Sequence, residues 1–316
     1  IMKSYTINSN DANRRVDNFL NHAVPLLPKT LMYKFIRLKK IKLNRKRCQP
    51  NDILKEGDVL ELYINDEFFE QKIDKDFLSS KGSLNIVYED ENIILLEKEA
   101  GLLCHSGNGN ESDTLVDRLK SYLYKKGEYN PENENSFAPS LCNRIDRNTT
   151  GIVIGAKNAE SLRIINEKIK ENQIKKFYLC LVYGATPKQS DTVNCYIKND
   201  DKTNTVKVSK NYVNGSKNAI TKYKVLKVGK QTSLLERELQ TGRTHQIRAT
   251  MDYLGNSLVG ETKYIRSAPK NKLKYKYQAL VSYKVVFDFD NEENLLSYLK
   301  DKEFKLKNCS IENLVV

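Results

Sequence analysis

A chain of 316 residues is too long for one small core and predicts two domains, one of them sizeable. With 39% hydrophobic and 29% charged residues and no long apolar stretch, it reads as a soluble protein and not a membrane one. A formal net charge of +13 favours a polyanionic partner, while six cysteines without a C-x-x-C pair and three scattered histidines argue against zinc and for reduced, cytoplasmic thiols.

Residues 1–66 read as a small basic module, and their first eleven lack the basic start and apolar core of a secretory signal. Asn13 to Leu20 opens a helix whose Val16, Phe19 and Leu20 share a face. A second helix from about Lys29 repeats Leu31, Phe35 and Leu38 at helical spacing. Short strands follow at Ile41, Leu43 and residues 58–64, with Glu56-Gly57 as the turn. Lys34, Arg37, Lys39, Lys40, Lys42, Arg45, Lys46 and Arg47 form a basic run with no acidic residue in it. Straddling a helix and a strand, they make a stripe suited to a phosphate backbone, which supplies affinity and not sequence choice.

Residues 67–85 are polar and read as a linker, and residues 86–316 as the large domain. Ile86 to Tyr88 and Ile93 to Leu96 flank a polar turn, a hairpin signal. Asp113 is placed to cap a helix carrying Leu115, Leu119, Tyr122 and Leu123, and residues 124–140 read as a surface loop. Gly151 to Ala156 is a short apolar strand buried on both faces. Asn158 caps the next helix, with Leu162, Ile165 and Ile169 inward, before a strand from Phe177 to Tyr183 that Gly184 ends. Residues 198–217 read as a loop, and a β-rich stretch continues to Leu239. Thr244 is placed to cap a helix carrying Ile247, Met251 and Leu254, closed by Gly255. Residues 277–289 alternate as a last strand before a short C-terminal helix. The fold class is α+β: a mainly antiparallel sheet with flanking helices, joined to the small N-terminal α/β module.

Two runs carry the chemistry. Asn143-Arg144-Ile145-Asp146-Arg147-Asn148-Thr149-Thr150-Gly151 sets a carboxylate between arginines just before the buried strand. Thr241-Gly242-Arg243-Thr244-His245-Gln246-Ile247-Arg248 brings arginine to the mouth of a helix, and Lys176-Phe177-Tyr178 puts a tyrosine on the strand between them. Arginines beside a carboxylate favour its charged, nucleophilic form, which suits work on an anionic substrate. A lone Asp-Arg pair is usually structural; the company of the second run and the tyrosine makes it a candidate site. His245 reads as a hydrogen bond that steadies its turn ahead of a general base, and His105 as a loop support.

These residues resemble the RluA-type RNA pseudouridine synthases over nearly the whole chain. Asn143 to Gly151 is similar to the family's His-Arg-Leu-Asp-Arg-x-Thr-Ser-Gly, and Lys98 to His105 to its Lys-Pro-x-Gly-x-x-x-His. Lys176 to Gly184 is similar to its Lys-x-Tyr strand, and Thr241 to Arg248 matches Thr-Gly-Arg-Thr-His-Gln-Ile-Arg throughout. Residues 255–264 fit Gly-His-Pro-x-x-Gly-Asp-x-Lys-Tyr loosely, and the basic module resembles the RNA-binding domain shared with ribosomal protein S-four.

The resemblance implies an enzyme that flips a uridine out of structured RNA and isomerises it to pseudouridine, with no metal and no cofactor. Large-subunit ribosomal RNA stands ahead of transfer RNA as the target. It implies Asp146 as the catalytic aspartate, Arg243 as its ion-pair partner and Tyr178 as the aromatic that stacks on the base. Arg144 would hold the place of the extruded uridine. Five positions depart from the pattern: Asn143, Glu99, Glu261, Leu280-Val281-Ser282 for Leu-His-Ala, and Lys39-Lys40 where a turn glycine is usual. No exposed apolar stripe demands a partner, so a monomer is expected. The alternative is a non-catalytic RNA-binding or ribosome-assembly factor on the same fold. A deaminase would need zinc ligands with an adjacent glutamate, and a two-metal nuclease clustered carboxylates; the sequence offers neither.

Overall fold

A computed structural model describes residues 2–70, 72–107, 111 and 113–316; Ile1 of the expected module and Gln71 of the expected linker lie outside them. The chain opens with β1 (Lys3–Thr6), α1 (Val16–Ala23), α2 (Lys29–Arg37), β2 (Ile41–Leu43), β3 (Lys46–Arg47) and β4 (Val59–Leu62), whose strands order as β1-β4-β2-β3. Val16, Phe19 and Leu20 of α1 are fully buried, as their spacing predicts. On α2 the buried residues are Met32 and Ile36; Leu31 and Phe35 are half-buried and Leu38 is exposed, so the expected stripe is turned by one residue. Lys34, Arg37, Lys39, Lys40, Arg45, Lys46 and Arg47 are exposed, and Lys42 half-buried.

Lys39 adopts a left-handed φ of +61°, the conformation a turn glycine would supply. Its N–H reaches the Ile36 carbonyl at 3.0 Å, and that of Lys40 the Phe35 carbonyl at 2.9 Å, so α2 ends much as a glycine would end it. A side chain in this region costs about 1 kcal/mol. Lys39→Gly is therefore expected to stabilise the chain by up to about that amount in urea unfolding; a lowered midpoint would remove the strain.

The large domain comprises β5 (Asn85–Glu89), β6 (Ile93–Lys98), α3 (Leu115–Lys126), β7 (Ser140–Leu141), β8 (Thr150–Ala156), α4 (Ala159–Lys170) and β9 (Ile174–Tyr183). It continues through β10 (Ser190–Asp200), β11 (Thr205–Ser209), β12 (Lys217–Val228), β13 (Thr232–Leu239), α5 (Gln246–Tyr253), β14 (Leu280–Phe287) and β15 (Glu303–Lys305). One eleven-stranded sheet runs β11-β10-β12-β13-β9-β14-β8-β6-β5, with β7 on β8 and β15 on β14. β14 and β8 are parallel and the other pairs antiparallel, giving the α+β fold expected.

Alternation along β9 sends Tyr178, Cys180 and Val182 to the face that α3 and α5 cover. Leu179, Leu181 and Tyr183 face α4 and the C-terminal turns. Covered on both sides, Ile152, Val153 and Ile154 of β8 are fully buried, each worth roughly 1.5–3 kcal/mol. Gly151, at φ +123°, lets β14 come so close that a Cβ would collide with the Ser282 carbonyl. That approach seats Leu280 beside the Asp146 loop.

Several local expectations are corrected. Residues 198–217 are only in part a loop: β10 runs to Asp200 and β11 pairs back on it, Lys198 opposite Lys207. These outer strands carry lysine and asparagine on their exposed side, which hides their alternation. Thr114, not Asp113, caps α3, because Thr114 and Asp117 satisfy each other's backbone N–H, while Asp113 pairs with Arg118. The C-terminal helix is replaced by 3-10 turns at Ser297–Leu299 and Ser310–Leu314. The polar stretch after residue 66 forms 3-10 turns at Asp66–Phe69 and Asp76–Ser79, and Phe77 enters the core against Tyr124 and Tyr129. Asn158 caps α4 as expected, accepting the Ser161 N–H at 2.8 Å.

The residues after α3 do more than cover the surface. Buried Asp11 accepts from Asn135 Nδ2 (2.7 Å) and Ser136 Oγ, while Asn10 donates to Glu134 (3.0 Å) and accepts the Ala159 N–H (3.0 Å). Arg14 Nη1 donates to Ser136 Oγ at 3.1 Å. This polar seam joins the small module to the large domain.

Candidate active site

The loop between β7 and β8 is tied down at both ends. Asn143, which stands for the motif histidine, accepts the Ile154 N–H at 2.8 Å, and the Thr149 N–H closes a turn on the Asp146 carbonyl at 3.0 Å. Lys98 is fully buried and its ammonium donates to the carbonyls of Glu99 (2.8 Å), Leu102 (2.7 Å) and Arg147 (2.8 Å), using all three protons. Burial pulls its pKa down to about 8. Gly101 and Arg147 also bond to each other, N–H to carbonyl at 2.8 Å and Arg147 Nε to the Gly101 carbonyl at 3.0 Å. Arg147 thus spends its guanidinium on backbone beside Asp146.

The Asp146 carboxylate accepts Arg248 Nη1 at 2.8 Å. Arg248, 6% exposed, gives its Nε and Nη2 to Glu261 at 2.6 and 2.7 Å. Glu261 also accepts the N–H groups of Thr262 and Lys263 at 2.9 and 2.8 Å. Burial works to raise the Glu261 pKa, but the bonds and charge of Arg248 outweigh it and hold the carboxyl below its ordinary value. The two Glu261 carboxylate oxygens thus span two guanidinium nitrogens.

Arg248, and not Arg243, is therefore the ion-pair partner of Asp146. Arg243 is exposed, with its Nε on the Asn218 carbonyl at 2.9 Å. The reason lies in where the helix starts. Gln246 accepts from Thr241 Oγ1 (2.8 Å) and the Arg243 N–H (3.0 Å) and donates to Ile220 and Thr221, clamping residues 241–243 as a turn at the rim. Arg248 lies in the first turn of α5, on its buried side.

His245 occupies the N-cap position that the sequence gives to Thr244. At φ +51° it makes no capping bond; its Nδ1 lies 2.7 Å from the Tyr264 hydroxyl, which already accepts the Val206 N–H at 2.9 Å. The other ring nitrogen, Nε2, lies 3.9 Å from Asp146. Burial lowers the His245 pKa despite Asp146 nearby. Its folded value lies below the unfolded value of about 6.5, so the unfolded chain takes the proton first. The stability of the neutral ring is complete above about pH 6.5 and is lost as pH falls through the folded value. His245→Asn is expected to flatten that acid limb in urea unfolding; an unchanged limb would assign it to other groups.

Tyr178 lies on β9 facing α5, buried and held protonated because burial raises its pKa. Arg144, Asp146, Tyr178, Arg243, Arg248 and Leu280 line one pocket that is open to solvent. The basic residues from Lys34 to Arg47 do not line it; they lie on α2, on β2 and β3 and in the turns between them. Arg248, Glu261, Gln246, Lys98 and Tyr264 were not among the expected site residues. His105 Nδ1 is buried without a hydrogen-bond partner among the described residues. All six cysteines are free thiols. Among the described residues no helix is long and apolar enough to cross a membrane, and no group of three metal-ligating side chains occurs.

The model of the RNA pseudouridylate synthase family matches residues 92–253, and that of the S4 domain residues 14–60. An uncharacterized RNA pseudouridine synthase of Mycoplasma genitalium is 34% identical over 294 residues, 91% of this chain and 90% of the relative. Ribosomal large subunit pseudouridine synthase C of Vibrio parahaemolyticus is 29% identical over 262 residues, 82% of this chain and 78% of the relative. In structure, human RNA pseudouridylate synthase domain containing 4 superposes with a TM-score of 0.55 at 20% identity, over 71% of this chain and 88% of that one, a likeness of fold. The chain thus belongs to the RluA-type RNA pseudouridine synthases, which are isomerases, and it carries an S4 domain at its N-terminus.

Proposed function

We propose that this enzyme isomerises uridines of large-subunit ribosomal RNA, flipping each target base into the pocket and acting on it through Asp146. The observation that carries the reading is a carboxylate held by a buried Arg248–Glu261 pair at the wall of an open pocket that Arg144 and Tyr178 also line. Flipping costs a few kcal/mol, which exposed Arg144 offsets by filling the gap left in the RNA. Asp146 attacks the anomeric carbon or ring carbon six, or takes a sugar proton. The bond from the sugar to ring nitrogen one breaks, the base turns, and a bond forms to ring carbon five. That carbon loses its proton and nitrogen one gains one, so the change is an isomerisation without net redox. Tyr178, protonated and buried, covers the detached base and keeps water away.

The ribosomal target is supported by the large-subunit enzymes among the relatives and by the S4 domain. A silent assembly factor loses ground because Asn143, Glu261, Ser282 and Lys39 each keep a bond or a backbone shape at a departed position.

The test is tritium release from RNA labelled at uracil ring carbon five, since only rejoining through that carbon expels the label. Release from large-subunit ribosomal RNA is expected. Release from transfer RNA alone would keep the enzyme and change its target, and release from neither would overturn the proposal.

A further inference from the structure

From Thr262 to Phe287 the chain has no acidic residue and seven basic ones, six of them before β14. Lys284, on β14, is paired with Glu236 at 3.6 Å, whereas Lys263, Arg266, Lys270, Lys272, Lys274 and Lys276 are exposed. Over residues 272–277 exposure alternates: the three lysines point out, while Leu273, Tyr275 and Tyr277 are half-buried. This stretch belongs to no regular element, so its alternation is imposed by what the inward residues touch.

Those contacts are specific. The Leu273 N–H donates to the Tyr183 hydroxyl at 3.0 Å, and Leu273 and Tyr275 pack on the core beneath α4. The Tyr277 carbonyl lies so close to Gly260, at φ +74°, that a Cβ there would collide with it. Gln278 Nε2 donates to Thr149 Oγ1 at 3.2 Å, in the loop that carries Asp146. The segment is therefore pinned with its lysines outward and its end against the active-site loop. Lys270, Lys272 and Lys274 have no acidic partner among the described residues.

We propose that residues 270–276 form a second RNA-binding surface, on the catalytic domain, that grips the phosphates of the strand leading into the pocket. Alternate residues of an extended chain lie about 6.6 Å apart, close to the step between phosphates of a drawn-out single strand. Such a grip adds affinity and orientation, and no choice of base. The inference rests on the proposed action on RNA.

The test uses the full chain with Lys270, Lys272, Lys274 and Lys276 all changed to Gln, and a second protein with the same four changed to Arg. A control changes Lys224, Lys227, Lys230 and Lys307 to Gln, an equal loss of charge elsewhere on the surface. Binding of labelled poly(U) and of unmodified large-subunit ribosomal RNA is followed against salt. Each phosphate of a single strand that a lysine neutralises adds about 0.7 to the slope of log K on log salt. That slope is expected to become shallower by up to about 3 in the first protein and to hold in the other two. If the first protein does not fold, Lys272→Gln and Lys274→Gln singly are each expected to move the slope by about 0.7. Equal slopes in all proteins, or equal changes in the first protein and the control, would overturn the surface. Tritium release by the unmodified chain separates the two readings. Release with no slope change retires only the surface, and a slope change without release retires only the enzyme.

Discussion

Asp146→Asn is expected to lower turnover by on the order of 10⁴-fold while RNA affinity changes less than about threefold. The amide keeps the shape of the side chain and one oxygen to accept Arg248 Nη1, and Arg248 keeps its double bond to Glu261. What disappears is the charge that, on the proposed reading, attacks the sugar or the base or takes a sugar proton. The protein should therefore fold and bind RNA as before, and single-turnover tritium release beside filter binding separates the two effects. Turnover within tenfold of the unmodified chain would take Asp146 out of the chemistry.

Arg248→Met and Arg243→Met should differ sharply, although both arginines stand in the same motif. Arg248→Met leaves the Glu261 side chain, wholly buried, without its cation, at a cost of about 3–5 kcal/mol in stability. It also removes the group that orients Asp146, with a further loss of about 10²–10³ in turnover. The pH dependence gives a separate signature. With Arg248 present the Glu261 pKa is depressed, so its contribution is complete above the unfolded value of about 4.3 and is lost as pH falls through the folded one. Without Arg248, burial, the largest influence, is opposed only by the Thr262 and Lys263 N–H groups and pushes that pKa up, so the variant should regain stability as pH falls from neutral. Arg243→Met, at an exposed rim, is expected to raise KM about tenfold and to change stability by less than about 0.5 kcal/mol. Urea unfolding at two pH values with tritium release tests both; equal losses would return the ion pair to Arg243.

Much of this architecture was legible where one strong pattern had no rival. The Val16, Phe19 and Leu20 face, the Asn158 cap and the doubly buried β8 needed only periodicity and a polar residue at the right place. Reading failed where neighbours competed. Thr114 and Asp113 are adjacent candidates for one cap, and the reciprocal bond to Asp117 decides between them. On α2 a stripe from Leu31 and one from Met32 differ by a single residue, and tertiary packing selects the second. β10 and β11 lie at the sheet's edge, where exposed lysines mask the alternation. Arg243 and Arg248 could be told apart only once the start of α5 was fixed at Gln246. Lys98 is the least legible of all, because lysine is almost never fully buried unless its protons are satisfied, and its three acceptors are backbone carbonyls that leave no trace in side-chain chemistry.

The seam from Asp11 and Asn10 to Glu134, Asn135 and Ser136 bears on how a target is chosen. Were the small module merely tethered, RNA held by it would sample the pocket over the whole reach of a flexible chain, at a diluted effective concentration. With the seam closed, grip and pocket become the two jaws of a caliper set to one opening. On the proposed reading, a uridine is then selected by how far it stands from the duplex or loop the module holds, and neighbouring uridines at other distances are passed over.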